Sequence, residues 1–177
     1  SPKGEALDEE RSKASSRARA KASVRDIALC NRFDWFFTWT LSKDAVNRYD
    51  AELVGKKVRT FLRNASFRKN FSYVCVPELH KDGGIHFHGL CNLGDVAVSR
   101  AVSPYTSDPL FTKTGQPIYN MTDWKFGFST CIPIDENYER TVNYLVKYIS
   151  KDATKVLGKW YLSSRNLVKH PDIKLVD

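Results

Sequence analysis

The chain has 177 residues, 42% of them hydrophobic, with 28 Lys+Arg against 20 Asp+Glu and a net charge of +8. That length favours one domain, and that apolar content is enough for a packed core, which excludes wholesale disorder. No apolar run approaches the ~18 residues of a membrane helix, no apolar signal segment follows the charged N-terminal stretch, and four scattered cysteines without a CxxC pair exclude a zinc ribbon and fit a reducing cytosol.

Residues 1–17 are Ser, Ala, Lys, Arg and Glu with almost nothing large and apolar, and read as a flexible tail of mixed charge or a frayed helix; residues 18–177 read as a single domain. Weak helical character runs from Ala18 to Cys30. Phe33 to Ser42 is aromatic and β-branched, which predicts a strand buried on both faces. Asp44 is a candidate cap for a helix from about Ala45 to Arg63. Phe71–Leu79 and Ile85–Leu93 read as strands, and Asp82-Gly83-Gly84 between them predicts a hairpin. Residues 94–122, with three prolines among Ser and Thr, read as a long loop or an ordered excursion. Trp124–Ile134 returns to strand, Glu136–Lys151 to helix, and Lys159–Leu167 to a last strand. Many strands, few helices and tight hairpins predict an α+β fold: a central antiparallel sheet of about five strands with helices packed on it.

The first candidate site is Glu78-Leu-His80-Lys-Asp-Gly-Gly-Ile-His86-Phe-His88. On a strand, residues i and i+2 share a face, so His86 and His88 project together while Ile85 and Phe87 face a core. Two imidazoles so placed can ligate one metal ion. Hairpin register decides the third ligand. A two-residue turn puts Glu78 on the wrong side. A three-residue loop (Lys81–Gly83) pairs Glu78 with His86, and a five-residue loop pairs His80 with His86 and Glu78 with His88. Glu78 is the natural third ligand, with His80 the other candidate. This mixed N/O set suits Mn²⁺ or Mg²⁺ holding a phosphate, or else zinc. A histidine pair alone is more often a surface or hydrogen-bonded core feature than a metal site. Three of the chain's four histidines around one hairpin, beside a glutamate, favour the metal.

The second candidate is Tyr144-Leu-Val-Lys147-Tyr148-Ile-Ser-Lys151. Val142, Leu145, Val146 and Ile149 form an apolar helix stripe for packing. Tyr144, Lys147, Tyr148 and Lys151 form a second stripe roughly 150° away. Neighbouring cations favour a phenolate, and a metal on a phosphate makes phosphorus more electrophilic. The same pattern also describes a solvated amphipathic face. A helix lying flat on its apolar stripe points the tyrosines away from the sheet, so the helix flank must overhang the histidines.

Phe36-Phe-Thr-Trp-Thr40, His86-Phe-His88 and Tyr144-Leu-Val-Lys147-Tyr148 resemble, in order, the three motifs of rolling-circle replication initiators, the HUH endonucleases. The third resembles the two-tyrosine version of some bacteriophage replication proteins. The segment Trp160-Tyr161-Leu-Ser-Ser-Arg165 is also similar to bacteriophage and plasmid replication-associated proteins. The resemblance spans about Asp26 to Leu167. It implies an RRM/ferredoxin-like sheet with the histidines on a central strand. It implies sequence-specific nicking of single-stranded DNA at a replication origin, in the cytoplasm of a bacterial host.

By the same resemblance, His86, His88 and Glu78 would hold a divalent metal ion, Mn²⁺ or Mg²⁺. Tyr144 would attack the scissile phosphate to give a 5′-phosphotyrosine and a free 3′-hydroxyl. Tyr148 would be a second nucleophile, and Lys147 would orient the phosphate or phenolate. Phe36 to Thr40 would be structural or DNA-facing. No P-loop is present, so helicase and polymerase activities would be contributed by host replication proteins or by another part of the gene. Single-stranded DNA wants cations for its backbone and aromatics for its bases. Candidates are Lys151, Lys155, Lys159 and Arg165, with Trp39, Trp160 and Tyr161 for stacking. Two other readings stay open: an RRM-like nucleic-acid-binding module without catalysis, and a metal-dependent hydrolase in which the tyrosines are bystanders.

Overall fold

The computed structural model describes residues 2–150 and 155–168. Among them are ten elements in the order α1 (Pro2–Cys30), β1 (Trp35–Trp39), α2 (Ala51–Lys69), β2 (Ser72–Leu79), β3 (Ile85–Asn92), β4 (Val98–Arg100), β5 (Tyr119–Met121), β6 (Ser129–Pro133), α3 (Tyr138–Val146) and β7 (Leu162–Ser163). The fold is α+β, with one antiparallel sheet in the order β4-β5-β6-β1-β3-β2-β7. The five or so expected strands are extended to seven by short edge strands. Among the described residues, no helix is long and apolar enough to cross a membrane.

Period-two alternation divides the side chains between two sheet faces. On the first face, Phe37, Trp39, Tyr73, Cys75, Phe87 and Cys91 pack under Val54, Val58 and Leu62 of α2. On the second, Val74, Val76 and Leu90 pack under α1 (Val24, Ile27, Ala28) and α3 (Val142, Leu145, Val146). Tyr138 ties the two helices of the second face together. Its hydroxyl donates to the carbonyls of Ala28 (2.6 Å) and Asn31 (3.0 Å) and accepts from the Phe33 N–H (3.2 Å).

Several elements differ from expectation for identifiable reasons. From Pro2 onward, the stretch read as a tail or frayed helix is the first half of α1. Its Ala, Leu, Glu, Lys and Arg are strong helix formers and its proline sits in the first turn, where the missing N–H costs nothing. A Lys13–Glu9 pair at 3.2 Å adds i,i+4 support. Residues 2–15 are nonetheless all exposed, so packing begins only near Arg17. The N-cap of α2 is Asp50, not Asp44: its carboxylate accepts from the Leu53 N–H at 3.1 Å. The helix ends at Asn70, which takes a left-handed conformation. The 94–122 excursion contributes β4 and β5. The strand expected from Trp124 begins only at Ser129, and Gly127 passes so close to β1 that a side chain there would meet the Thr40 carbonyl. The last strand shrinks to two residues beside Val74 and Cys75.

Gly89, at the centre of β3, has room for nothing larger: a Cβ there would lie 2.4 Å from the Phe37 ring and 2.7 Å from the Val74 carbonyl oxygen. Gly89→Ala is expected to lower stability by about 1–3 kcal/mol, read as a lower urea midpoint at unchanged slope.

Candidate functional site

The site begins with the β2–β3 hairpin. The His80 N–H donates to the Gly84 carbonyl (2.8 Å) and the Gly83 N–H to the His80 carbonyl (2.9 Å), which closes a three-residue loop, Lys81–Gly83. Gly83 has φ +86°, the left-handed position that such loops require. Arg48 pins the loop through Asp82 at 2.9 Å, and Asp82 also accepts from the Gly84 N–H at 2.8 Å. The resulting register pairs Glu78 with His86 and Val76 with His88. Of the two odd-loop registers that keep Glu78 on the histidine face, the molecule adopts the shorter. Glu78, His80, His86 and His88 all lie on the second sheet face, beyond the apolar half covered by α1 and α3.

Within this group, Glu78 Oε1 lies 2.7 Å from His80 Nε2 and 3.2 Å from His88 Nε2. Potential ligand atoms of Glu78, His80 and His88 all fall within 4.8 Å of one another. His86 is adjacent rather than convergent: its ring stacks on that of His80 with centroids 3.5 Å apart. The hairpin thus supplies both sequence candidates for the third ligand, Glu78 and His80. His88 is oriented from its other nitrogen, with Nδ1 3.3 Å from Thr38 Oγ1. Thr38 faces His88 directly across the β1–β3 ladder. The sequence reading gave Thr38 only the structural or DNA-facing role of the whole Phe36–Thr40 motif. The available signal was that Thr38 alternates with Phe37 and Trp39, so it had to face away from their core.

The donor set suits a divalent cation. Two imidazoles and a carboxylate converge, and His80 Nε2 is shut off from solvent with no aligned hydrogen-bond partner, although it lies so close to Glu78. That nitrogen is free to serve as a ligand atom. Burial holds the pKa of His88 below the ordinary imidazole value of 6.5 despite its Glu78 partner. Burial, with His80 and His88 nearby, does the same for His86. Both rings are thereby held in the neutral form that binds metals.

Alpha-3 brings the tyrosines to this cluster by ending early. After Val146 the chain tightens: the Tyr148 N–H bonds the Leu145 carbonyl (3.1 Å) and the Ile149 N–H the Val146 carbonyl (3.0 Å). In such an i→i−3 turn, side chains three apart eclipse one another. Tyr148 therefore follows the buried direction of Leu145 and turns toward the sheet. Its ring lies flat on that of His88, with centroids 3.7 Å apart and planes 4° apart. Its hydroxyl donates to the Tyr144 hydroxyl at 3.0 Å. Tyr144 is 51% exposed and rests against Phe36 of β1, with centroids 5.6 Å apart. Burial, then the bond to Tyr144, raises the Tyr148 pKa well above that of an ordinary phenol. Lys147 is the exposed C-cap of α3.

A family model described as Replication-associated protein ORF2/G2P matches residues 34–153. The chain belongs to this family. The match covers β1 with Thr38, the histidine hairpin and both tyrosines of this ORF2/G2P family member, and it leaves out α1 and β7. No curated protein and no solved structure matches the chain. Membership makes the chain a replication-associated protein.

The nucleic-acid candidates are dispersed. Trp39 is corrected: it is fully buried on the opposite face, stacked on Trp124 at 4.4 Å, and has no surface to offer a base. A tryptophan in a central strand of a small domain is consumed by the core. Trp160 is half-buried, its indole N–H bonded to Ser16 of α1 (2.8 Å) and Lys155 over its ring at 5.9 Å. Arg165 is exposed. Lys151 lies outside the described residues.

Because the folded state holds His86 and His88 below 6.5, the unfolded chain binds more protons as pH falls through that value. Stability is then lost on acidification below about pH 6.5 and levels off below the folded-state values. The urea midpoint of metal-free protein is expected to fall between pH 7.5 and 5.5, and His88→Gln to flatten that dependence.

Proposed function

We propose that this replication protein is a metal-dependent endonuclease and strand transferase that nicks single-stranded DNA at an origin through a covalent 5′-phosphotyrosine, initiating rolling-circle replication. The observation that carries this reading is the continuous chain Glu78–His88–Tyr148–Tyr144, which joins a metal-competent cluster to two phenols.

In this reading, Glu78, His80 and His88 hold the divalent ion, Mn²⁺ or Mg²⁺, with His86 stacked on His80 beside them. When bound, the ion makes the phosphorus of the scissile phosphate more electrophilic. Thr38 keeps the His88 ring oriented, as an outer partner of a metal-binding histidine does. Tyr144 is the first nucleophile, because it is the exposed phenol and its oxygen already accepts a hydrogen bond. That bond favours the developing phenolate. The Tyr144 oxygen bonds to phosphorus and loses its proton, the bond from phosphorus to the 3′ oxygen breaks, and that oxygen leaves as a 3′-hydroxyl on protonation. Tyr148, held protonated and stacked on His88, supports the first step and serves as the second nucleophile in resealing. Lys147 helps hold the phosphate. The free 3′ end goes to a host polymerase, behind a host helicase.

The test uses a 3′-labelled single-stranded oligonucleotide library carrying origin sequence, run on a denaturing gel with Mn²⁺. A labelled protein band is expected that EDTA removes and Tyr144→Phe abolishes, with a loss of at least about 10³-fold in the first cleavage, the scale of losing a covalent nucleophile. Tyr148→Phe is expected to retain the adduct at reduced rate. Metal-dependent cleavage without an adduct overturns the covalent step. Tight binding without cleavage, indifferent to EDTA, overturns the enzyme in favour of a binding module.

A further inference from the structure

The other face of the sheet carries a charge distribution that the nicking site does not use. Helix α2 holds Lys56, Lys57, Arg59, Arg63, Arg68 and Lys69 against one carboxylate, Glu52, so this single helix carries most of the chain's net charge of +8. Its buried stripe is Val54, Val58, Leu62 and Ala65. At 100° per residue, Lys56, Thr60 and Arg63 then fall on the crown opposite that stripe, pointing straight away from the sheet. All three are exposed, and so are Arg59 and Arg68 on its flanks.

Local helix chemistry accounts for only part of this charge. Arg68 and Lys69 sit in the last turn, where cations complement the helix dipole, and Lys69 also pairs with Asp123. Lys56, Lys57, Arg59 and Arg63 lie mid-helix, where the dipole offers nothing. None of these four has an ion pair among the described residues; Arg59 bonds only the Leu157 carbonyl, at 2.7 Å. By contrast α1, the other long helix, carries seven bases against five acids and forms the i,i+4 pair Glu9–Lys13. With six bases against one acid, α2 is the more one-sided of the two long helices.

We infer that the outer face of α2 is a second DNA-binding surface, which holds the phosphate backbone of duplex DNA while the opposite face of the sheet works on a single strand. The inference rests on the proposal that the chain acts on DNA. Two features favour the duplex. A rigid helix with cations on its crown matches the closely spaced charges of duplex DNA, about one per 1.7 Å of axis, and the Thr60 hydroxyl adds a phosphate donor. Single-strand sites need a run of aromatics for base stacking, and this crown has only Phe67 at its end. The aromatics beside the nicking site, Tyr144, Tyr148 and Phe36, lie on the other side of the sheet.

The test compares the chain with a Lys56→Gln/Lys57→Gln/Arg63→Gln variant, using fluorescence anisotropy of a labelled 20-base-pair duplex over a salt series. The variant is expected to bind the duplex more weakly, with the slope of log affinity against log salt reduced by roughly 2 to 3, about 0.9 for each phosphate no longer neutralised. Circular dichroism and binding of a short single strand are expected to be unchanged. Equal duplex affinity and slope in both proteins overturns the inference, and so does a loss confined to the single strand. Duplex binding is measured without cleavage, so a failure of the nicking proposal shows in the adduct gel and leaves this readout intact.

Discussion

The register of the β2–β3 hairpin is the constraint on which the site depends. A three-residue loop with a left-handed Gly83 pairs Glu78 with His86. Because side chains alternate with period two, a slip of one residue would send Glu78 to the opposite face and scatter the cluster. The loop is correspondingly well held, by the His80–Gly84 backbone bond, the Asp82 carboxylate on the Gly84 N–H, and the Arg48–Asp82 pair. From this one register follows the shared carboxylate between His80 and His88.

The second determinant is the way α3 stops. A regular helix of this sequence carries its apolar stripe and its tyrosines on well-separated faces. Tightening to i→i−3 bonds after Val146 removes that separation for Tyr148 alone. Tyr144 stays on the regular helix, exposed and supported by Phe36. The two phenols therefore occupy different environments, one open and one pressed against a histidine. Tyr138 sets where the helix starts by bonding the end of α1, so α1 helps position the tyrosines although it lies outside the family match.

The sheet also separates two kinds of surface. The α1–α3 face leaves its polar half uncovered, and that half holds the histidines and tyrosines. The opposite face is closed by α2 over an aromatic core of Phe37, Trp39, Phe61, Phe71 and Trp124. Closing it uses every large side chain that β1 directs that way. Trp39 is therefore structural, and cations rather than aromatics are what that side presents to solvent.

Much of this was legible in local pattern. Alternation in His86-Phe87-His88, the Gly-Gly step before it, the aromatic β1 and the i, i+4 tyrosines are set by neighbours within a few residues, so the sequence by itself determined an α+β sheet, a histidine hairpin and a tyrosine-bearing helix. Tertiary structure decided what depends on partners distant in the chain. His80 joins Glu78 and His88 because the loop is three residues long, and Thr38 reaches His88 only through strand pairing fifty residues apart. The start of α2 moved to Asp50 because one of two available aspartates met a free N–H. Tyr148 reached His88 because α3 tightened where its apolar stripe had to stay on the sheet. Helical and strand periodicity fix which side chains share a face, whereas packing between elements fixes which faces meet.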